Sequence, residues 1–541
     1  MDLLLDVNVA VDLCTGREPH FQVVRDAVAA CRAQGGRVWL YAGSVQTLEY
    51  VTRSELCRQW AKQGIFPTPR QVSHRTRELL RELAKDMHWL AALSGEGDVY
   101  GADDPEDEQL IRALRRFAPG TIRLLTRDAA VLAKCPDAVS PVDFLRLGEK
   151  ASPLEFMDLK AQQDAIRPRL EEGIHTVLHH GRYILGPEVA RLERAVADYV
   201  GVKHAVGCSS GTDALLLALM AYGVGPGDAV VTTPFTFIAT AEVIALLGAV
   251  PVFADIDPET YNMDPGSADR AVRALRDGRA DLHPLPRGEA YKKLRPRGMI
   301  AVDLYGLPAD YDALRAVCEE HGLFLIEDAA QSFGAEYKGR KAGSLGDVGA
   351  TSFFPAKPLG GYGDGGMVFT DRDDIADVCR SLVVHGKGTD KYDNVRIGLN
   401  ARLDTLQAAI LQAKFEAFPA ELQARQDVAA RYTEGLRALD GALTPPVVPE
   451  GSLSAWAQYT VRAKDPHTRS ILMDRLKKAG VPTAVYYPKP LHLQGAFASL
   501  GYRPGDFPVA EEASRTVFSL PFGPYMAQTA QARVLDALQG L

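Results

Sequence analysis

The chain has 541 residues, of which 46% are hydrophobic and 24% charged, with a formal net charge of −8 and a pI near 5.9. That length predicts about three to four domain lengths of soluble globular protein, and the acidic balance excludes a protein that coats nucleic acid generally, though not a local site. No apolar run approaches the roughly 20 residues of a membrane span, the opening "MDLLLDVNVAVDL" has acids where a secretory leader needs a positive region, and seven scattered cysteines without a CxxC pair fit a reducing cytoplasm better than a disulfide framework or a structural zinc site.

Residues 1 to 148 open with an apolar strand, "LLLDVNVAVDL", continue through charged helical segments, and close with the strand "TIRLLTRD" and "VSPVDFLRLG". Residues 149–153 fall in the short polar stretch "EKASPLEF", a predicted linker. From 154 to 400 strands and helices alternate: "HAVGC", "GTDALLLALMAYG", "DAVVTT", "FIATAEVIALLG", "VPVFADI", "MIAVDLY", "ADYDALRAVCEEHG" and "LFLIED". This βαβ order predicts an α/β domain with a largely parallel sheet covered by helices. The basic segment 276–298 reads as a solvated surface insertion. From 401 to 541 a long helical stretch, expected to break or kink at Pro419, leads into a smaller α+β domain.

Ligands of parallel α/β sheets bind at the carboxyl ends of the strands. Asp328 directly follows "LFLIE", and Ser352 and Lys357 follow "GAT" in "SFFPAKPLGGYGDGG". Lys357 stands between two prolines and ahead of a glycine cluster, a setting that a solvated lysine does not need. "HAVGCSSGTDALLLAL" is a strand, a small-residue turn and a helix, whose first N–H groups suit a phosphate. Together these groups suit pyridoxal 5'-phosphate: an amine for the aldehyde, a carboxylate for the ring nitrogen, and a helix start with a hydroxyl for the phosphate.

The segments "DLKAQQDAIRPRL", "GRYILGPEVARLE", "SSGTDALLLAL", "PFTFIATAEVI", "IEDAAQSFGA", "SFFPAKPLGGYGDGG", "HGKGTDKYDNVRIGLNARLDTLQAAIL" and "YYPKPLHLQ" closely resemble the DegT/DnrJ/StrS sugar aminotransferases over 154–541. The resemblance implies the fold of aspartate-aminotransferase-type PLP enzymes (fold type I) and a homodimer with shared active sites. It implies Lys357 as the Schiff-base lysine and proton shuttle, Asp328 on the pyridinium nitrogen and Gln331 on the ring hydroxyl. Gly211, Thr212 and Ser352 would hold the phosphate, with Asn400 reaching it from a neighbouring subunit. Phe237 would stack on the ring, with Phe235 the rival, and Tyr305 would line the substrate side. Asp303 and Leu307 stand where many members carry His and Gln, which bears on substrate detail. The implied reaction is ping-pong amination of a nucleotide-linked keto sugar, 3-keto on UDP or dTDP, with glutamate as donor. A PLP-bound regulatory protein is the alternative reading of the same residues.

In the first block, Asp6 ends a strand, Glu49 lies in "SVQTLEY", Asp104 and Asp107 share a helical face in "DDPEDEQLIRAL", and Asp128 follows "IRLLT". Carboxylates converging at a sheet edge call for a cation, and an oxygen-rich set suits Mg2+ or Mn2+ and could activate water for phosphodiester cleavage. In this order the motifs resemble a PIN domain, the nuclease fold of VapC-type toxins. That implies Asp6, Glu49, Asp107 and Asp128 as the acidic set, Asp104 as a fifth or alternative ligand, Asn8 as support for Asp6, and RNA as a partner. The alternative for the whole chain is that this nuclease is the main activity.

Overall fold

The computed structural model describes residues 2–16, 20–33, 35–41, 45–63, 65, 67–85, 87–90, 122–126, 138–140, 154–288, 291, 293–390, 392–437 and 441–539. The chain divides into two units, Met1–Pro153 and Leu154–Leu541.

In the first unit the order is β1 (Asp2–Leu5), α1 (Val7–Thr15), α2 (Phe21–Ala33), β2 (Val38–Tyr41), α3 (Val45–Lys62), α4 (Pro69–Lys85), β3 (His88–Leu90), β4 (Ile122–Leu125) and β5 (Ala138–Val139). These strands form one parallel sheet in the order β3-β2-β1-β4-β5. Leu3, Leu4 and Leu5 are all buried, as a strand flanked on both sides and covered by helices requires. Leu3, Leu5, Val9, Val24, Val28 and Leu40 share the core.

The second unit begins with α5 (Leu159–His180) and α6 (Pro187–Val200), then alternates β6 (His204–Cys208), α7 (Gly211–Ala221), β7 (Asp228–Thr232), α8 (Ala239–Leu246), β8 (Val250–Phe253), α9 (Pro265–Asp277), β9 (Arg295–Val302), α10 (Tyr311–His321) and β10 (Phe324–Asp328). The short β11 (Glu336–Tyr337) and β12 (Arg340–Lys341) precede β13 (Val348–Ser352), β14 (Gly366–Thr370) and α11 (Asp373–Leu382). The central sheet runs β6-β14-β13-β10-β9-β7-β8. Its neighbours from β13 to β8 pair in parallel, and β14 is antiparallel to both β13 and β6. Helix α7 is apolar almost all round and buries Ala214, Leu215, Leu217, Ala218 and Leu219, which fits a helix enclosed between the sheet and α8 and α11.

Helix α12 (Thr405–Arg437) leads into the smaller part, where β15 (Leu443–Thr444), β17 (Tyr459–Ala463) and β18 (Val517–Leu520) form an antiparallel sheet. Strand β16 (Ser452–Leu453) joins β11 and β12. Helices α13 (Pro466–Lys478), α14 (Pro508–Thr516) and α15 (Gln528–Leu538) complete it. The expected break at Pro419 is absent: α12 runs through it as one helix. Phe418, Glu421 and Leu422 are buried around it, so packing keeps both sides of the proline helical where propensity alone predicts an end. Within the basic segment, Arg279 pairs with Asp281 at 2.6 Å, Arg287 with Asp506 at 3.0 Å and Arg295 with Asp228 at 2.6 Å, while Arg297 donates to the Tyr222 carbonyl at 3.0 Å. The expectation of a solvated insertion is corrected in part: the segment begins in α9 and ends in β9, and His283 within it is buried against the Phe253 carbonyl at 2.8 Å, so only part of the stretch between the two elements lies at the surface. Among the described residues no helix is long and apolar enough to cross a membrane.

Candidate active site

Register places the key residues side by side. Asp328 at the end of β10 lies opposite Ala350 of β13, two residues before Ser352. Ser352 pairs with Gly366 of β14, and Gly366 pairs with Cys208 at the end of β6. The turn into α7 therefore starts beside Ser352. Two glycines make this approach possible. A Cβ at Gly366 would lie 2.3 Å from the Ser210 carbonyl oxygen, and one at Gly211 would lie 2.6 Å from the Ser352 Cβ. Ser210 caps α7 by accepting from the Asp213 N–H at 3.0 Å. The Gly211 and Thr212 N–H groups belong to the first turn, which has no intrahelical partner for them. Together with the Ser352 hydroxyl they form a cradle of the kind that binds a phosphate.

Asp328 is 6% exposed. Its Oδ2 accepts from the Thr240 hydroxyl at 2.8 Å and its Oδ1 from the Ala330 N–H at 3.2 Å. Burial raises its carboxyl above the ordinary value, against the Thr240 bond and the charge of Lys357. Lys357 shows the opposite shift: burial lowers its amine, and Asp328 opposes that.

Gln331 is buried, accepts from the Tyr305 N–H at 2.8 Å and donates to the Tyr487 hydroxyl at 3.3 Å. The Tyr305 hydroxyl donates to the Tyr486 carbonyl. Tyr305 holds φ at +59°, a strained setting for an aromatic residue. It is fixed by the Ala457 N–H, which donates to its carbonyl at 3.0 Å. The two phenylalanines separate clearly. Phe235 is 1% exposed and belongs to the core, whereas Phe237 is 57% exposed and its ring lies 6.5 Å from that of Tyr487.

Asn400 is exposed. Its backbone bridges Val384, and the next carbonyl, of Ala401, accepts from the Ser209 N–H at 3.1 Å. Asp303 does not face this site. It is fully buried and accepts from the Tyr311 hydroxyl at 2.7 Å, the Ser332 hydroxyl at 2.6 Å and the Ala309 N–H at 3.0 Å. Burial and the neighbouring Glu327 push its carboxyl well up. The aspartate at 303 therefore anchors the turn that carries Tyr305. Leu307 is likewise buried.

Sequence reasoning gave no role to Thr240, Tyr486, Tyr487 or Gln407. Thr240 lies in "PFTFIATAEVI" and the tyrosines in "YYPKPLHLQ", so their segments were noticed, but spacing gave no sign of which side chains turn inward. Gln407 accepts from the Tyr362 N–H at 2.9 Å behind the glycine run.

The sequence model of the DegT/DnrJ/EryC1/StrS aminotransferase family matches residues 164–539. The chain belongs to this family. A curated relative, UDP-2-acetamido-2-deoxy-3-oxo-D-glucuronate aminotransferase of Pseudomonas aeruginosa, is 46% identical over 384 residues, covering 71% of this chain and 99% of the relative. Among solved structures, a DegT DnrJ EryC1 StrS aminotransferase from Brucella abortus is 45% identical with a TM-score of 0.66, covering 71% of this chain and 98% of the other. The structure of NtdA from Bacillus subtilis with bound cofactor PMP is 27% identical with a TM-score of 0.61, covering 69% of this chain and 81% of the other.

In the first unit, Asp6 caps the start of α1 at the end of β1, is 5% exposed and accepts from the Thr126 hydroxyl at 2.8 Å. Asn8 and Glu49 are exposed on α1 and α3. Asp104, Asp107 and Asp128 lie outside the described residues.

Proposed function

We propose that this chain transfers an amino group from glutamate to a nucleotide-linked keto sugar, with pyridoxal 5'-phosphate held at Lys357. The observation that carries this reading is the convergence of Lys357, Asp328 and the Gly211–Ser352 cradle at neighbouring strand ends. The residues fit the cofactor: the cradle is open only because Gly211 lacks a Cβ, and the buried Asp328 carboxylate needs a cationic neighbour. Pyridoxal phosphate, when bound, supplies an aldehyde that carries the amino group and a ring that withdraws electrons.

The chain's own residues do the rest. Lys357 Nζ would carry the cofactor through its aldehyde and, once displaced by the incoming amine of the donor, would take and return the proton at the reacting carbon; its lowered affinity for a proton favours the neutral amine that this work requires. Asp328, steadied by Thr240, would meet the ring nitrogen. Gly211, Thr212 and Ser352 would take the phosphate, and Gln331, held by Tyr305, would take the ring hydroxyl. Phe237, being exposed, is the stacking ring, and the buried Phe235 is support. Tyr305 lines the sugar side. The name of the P. aeruginosa relative supports a 3-keto sugar on UDP, and that of a 38% identical relative, dTDP-3-amino-3,4,6-trideoxy-alpha-D-glucose transaminase of Streptomyces venezuelae, supports dTDP as the other carrier.

The sites are shared in a homodimer on this reading. Ile184, Leu185, Phe354, Val395 and Ile397 are exposed apolar side chains. Ile184 bridges Asp404, close to the exposed Asn400 that would reach a partner's phosphate. The test is a visible absorption spectrum of the protein with pyridoxal phosphate, before and after glutamate, followed by product analysis with keto sugars. A band that shifts on glutamate supports the reading, and turnover separates an enzyme from a regulatory protein. A protein that stays colourless overturns it.

A second reading concerns residues 1–148, as a PIN-like, metal-dependent ribonuclease. In the all-parallel order β3-β2-β1-β4-β5 successive strands run outward on opposite sides of the boundary between β1 and β4, and Asp6 and Thr126 sit at the carboxyl ends of those two strands, where such sheets bind ligands. Asp6, Glu49, Asp104, Asp107 and Asp128 would hold Mg2+ or Mn2+. Asp6→Asn is expected to abolish manganese-dependent RNA cleavage; cleavage that survives it assigns the activity elsewhere. A cytoplasmic location suits both activities.

A further inference from the structure

Behind the glycine run that follows Lys357 lies a buried charged cluster with no part in the chemistry described above. Tyr362 packs with Ile166, Leu170 and Ile410, and its hydroxyl is buried without a hydrogen-bond partner. Lys414 on α12 is 1% exposed, and its Nζ lies 4.5 Å from the centroid of the Tyr362 ring. Glu421, two turns further along the helix, is the carboxylate that acts on Lys414. It is itself occupied by Gln162 Nε2, which donates to its two oxygens at 2.9 and 2.7 Å, and by the Tyr525 hydroxyl at 2.8 Å. Gln407, two turns before Lys414, takes the Tyr362 N–H, and a Cβ at Gly361 or Gly363 would meet its amide group at 2.8 Å. One helix thus grips segment 360–363 twice, at its backbone through Gln407 and at its single side chain through Lys414.

A buried ammonium is an expensive way to fill this space. Burial lowers Lys414 to about 8. Of the groups around it, Tyr362 and Tyr525 are pushed up by burial, with Glu421 acting on both and Asp164 on Tyr362, and Arg425 is lowered to about 10. Lys414 is therefore the cation of the cluster that loses its charge nearest neutrality.

We propose that Lys414 is a positioning residue for Lys357: its ammonium, seated on the Tyr362 ring and balanced by Glu421, fixes the glycine segment and through it the approach of Lys357 Nζ to the cofactor aldehyde. This rests on the reading of Lys357 as the cofactor-bearing residue.

The test compares full-length wild type, Lys414→Met, Lys414→Arg and Tyr362→Leu, each loaded with pyridoxal phosphate. It reads the rate of cofactor release on dilution, the pH midpoint of the visible band, and the melting temperature. Lys414→Met is expected to release cofactor about tenfold faster, the scale of a desolvated cation–π contact. Its midpoint should move, and its melting temperature should hold or rise. Lys414→Arg is expected to restore both cofactor readouts. Tyr362→Leu, which keeps the ammonium but removes the ring, is expected to match Lys414→Met and decides the matter should that variant fail to fold. Wild-type release and midpoint in the Met or Leu variant overturn the proposal. So does faster release that comes with a lower melting temperature in both, which makes Lys414 an ordinary structural residue. Wild-type protein that takes up no pyridoxal phosphate removes the cofactor reading and this proposal with it.

Discussion

Asp328 and Lys357 oppose each other's shifts, and both are held at some expense to stability. Asp328 has a folded-state proton affinity above that of the unfolded chain. Its contribution to stability is full below the unfolded value and is lost as pH rises through the folded one. Asp328→Asn is therefore expected to leave the cofactor-free protein as stable as wild type or more so at neutral pH, with the difference vanishing in acid. Melting curves over an acidic pH series check this. The same substitution is expected to slow transfer by about 100-fold or more, because a fixed charge at the reacting group is lost. Unchanged steady-state rates would remove Asp328 from its role. Thr240→Val isolates the smaller effect: it deletes the bond to Oδ2 and is expected to weaken cofactor binding without abolishing it, read by spectral titration.

At the scale of elements, the cradle depends on close approach between β14, β13 and the start of α7. Gly211→Ala would place a Cβ 2.6 Å from that of Ser352. It is expected to reduce cofactor affinity by tenfold or more, about the effect of one lost hydrogen-bonded charge contact; a titration that matches wild type would show that the phosphate lies elsewhere. Gly298 in β9 faces a different constraint, since its Cβ would lie 2.0 Å from the Phe324 ring. Gly298→Ala is expected to lower stability by about 1–3 kcal/mol, as overpacking does, which denaturant melts would measure. Helix α12 shows the reverse case, where packing across Pro419 overrides local propensity.

At the scale of the molecule, the match to the curated relative covers 99% of that protein while using 71% of this chain. Residues 154–541 expressed alone are thus expected to bind cofactor and respond to glutamate like the full chain, by the same spectrum; loss of the response would give the first unit a part in the second one's folding or chemistry. The proposed sharing of sites between two subunits has its own test. Lys357→Ala and Asn400→Ala proteins are each expected to be inactive alone and to regain part of the activity when unfolded, mixed and refolded, because a mixed pair would contain one intact site. No recovery would place Asn400 outside a shared site.

Much of this was legible in the chain before its shape was known. The alternation of apolar strands and helices made the parallel part of the sheet legible, because burial on both faces demands continuous apolar strands, whereas the antiparallel β14 between β13 and β6 carries no such sign. Asp328 and Ser352 are legible as residues at strand ends, where the structure places them on paired strands. The first unit's parallel strands were only partly legible, since a short apolar strand carries little periodicity. What the sequence could not decide was which side chains turn inward. Phe235 and Phe237 are two residues apart and chemically identical, and only the packing of the core buries one and exposes the other. Asp303 follows an apolar strand as Asp328 does, and only the meeting of α10 with the turn after β10 makes it an anchor. The grip of Gln407 and Lys414 on the glycine run joins residues about fifty positions apart. Local spacing records the periodicity of one element, whereas contacts between elements depend on how the whole chain packs.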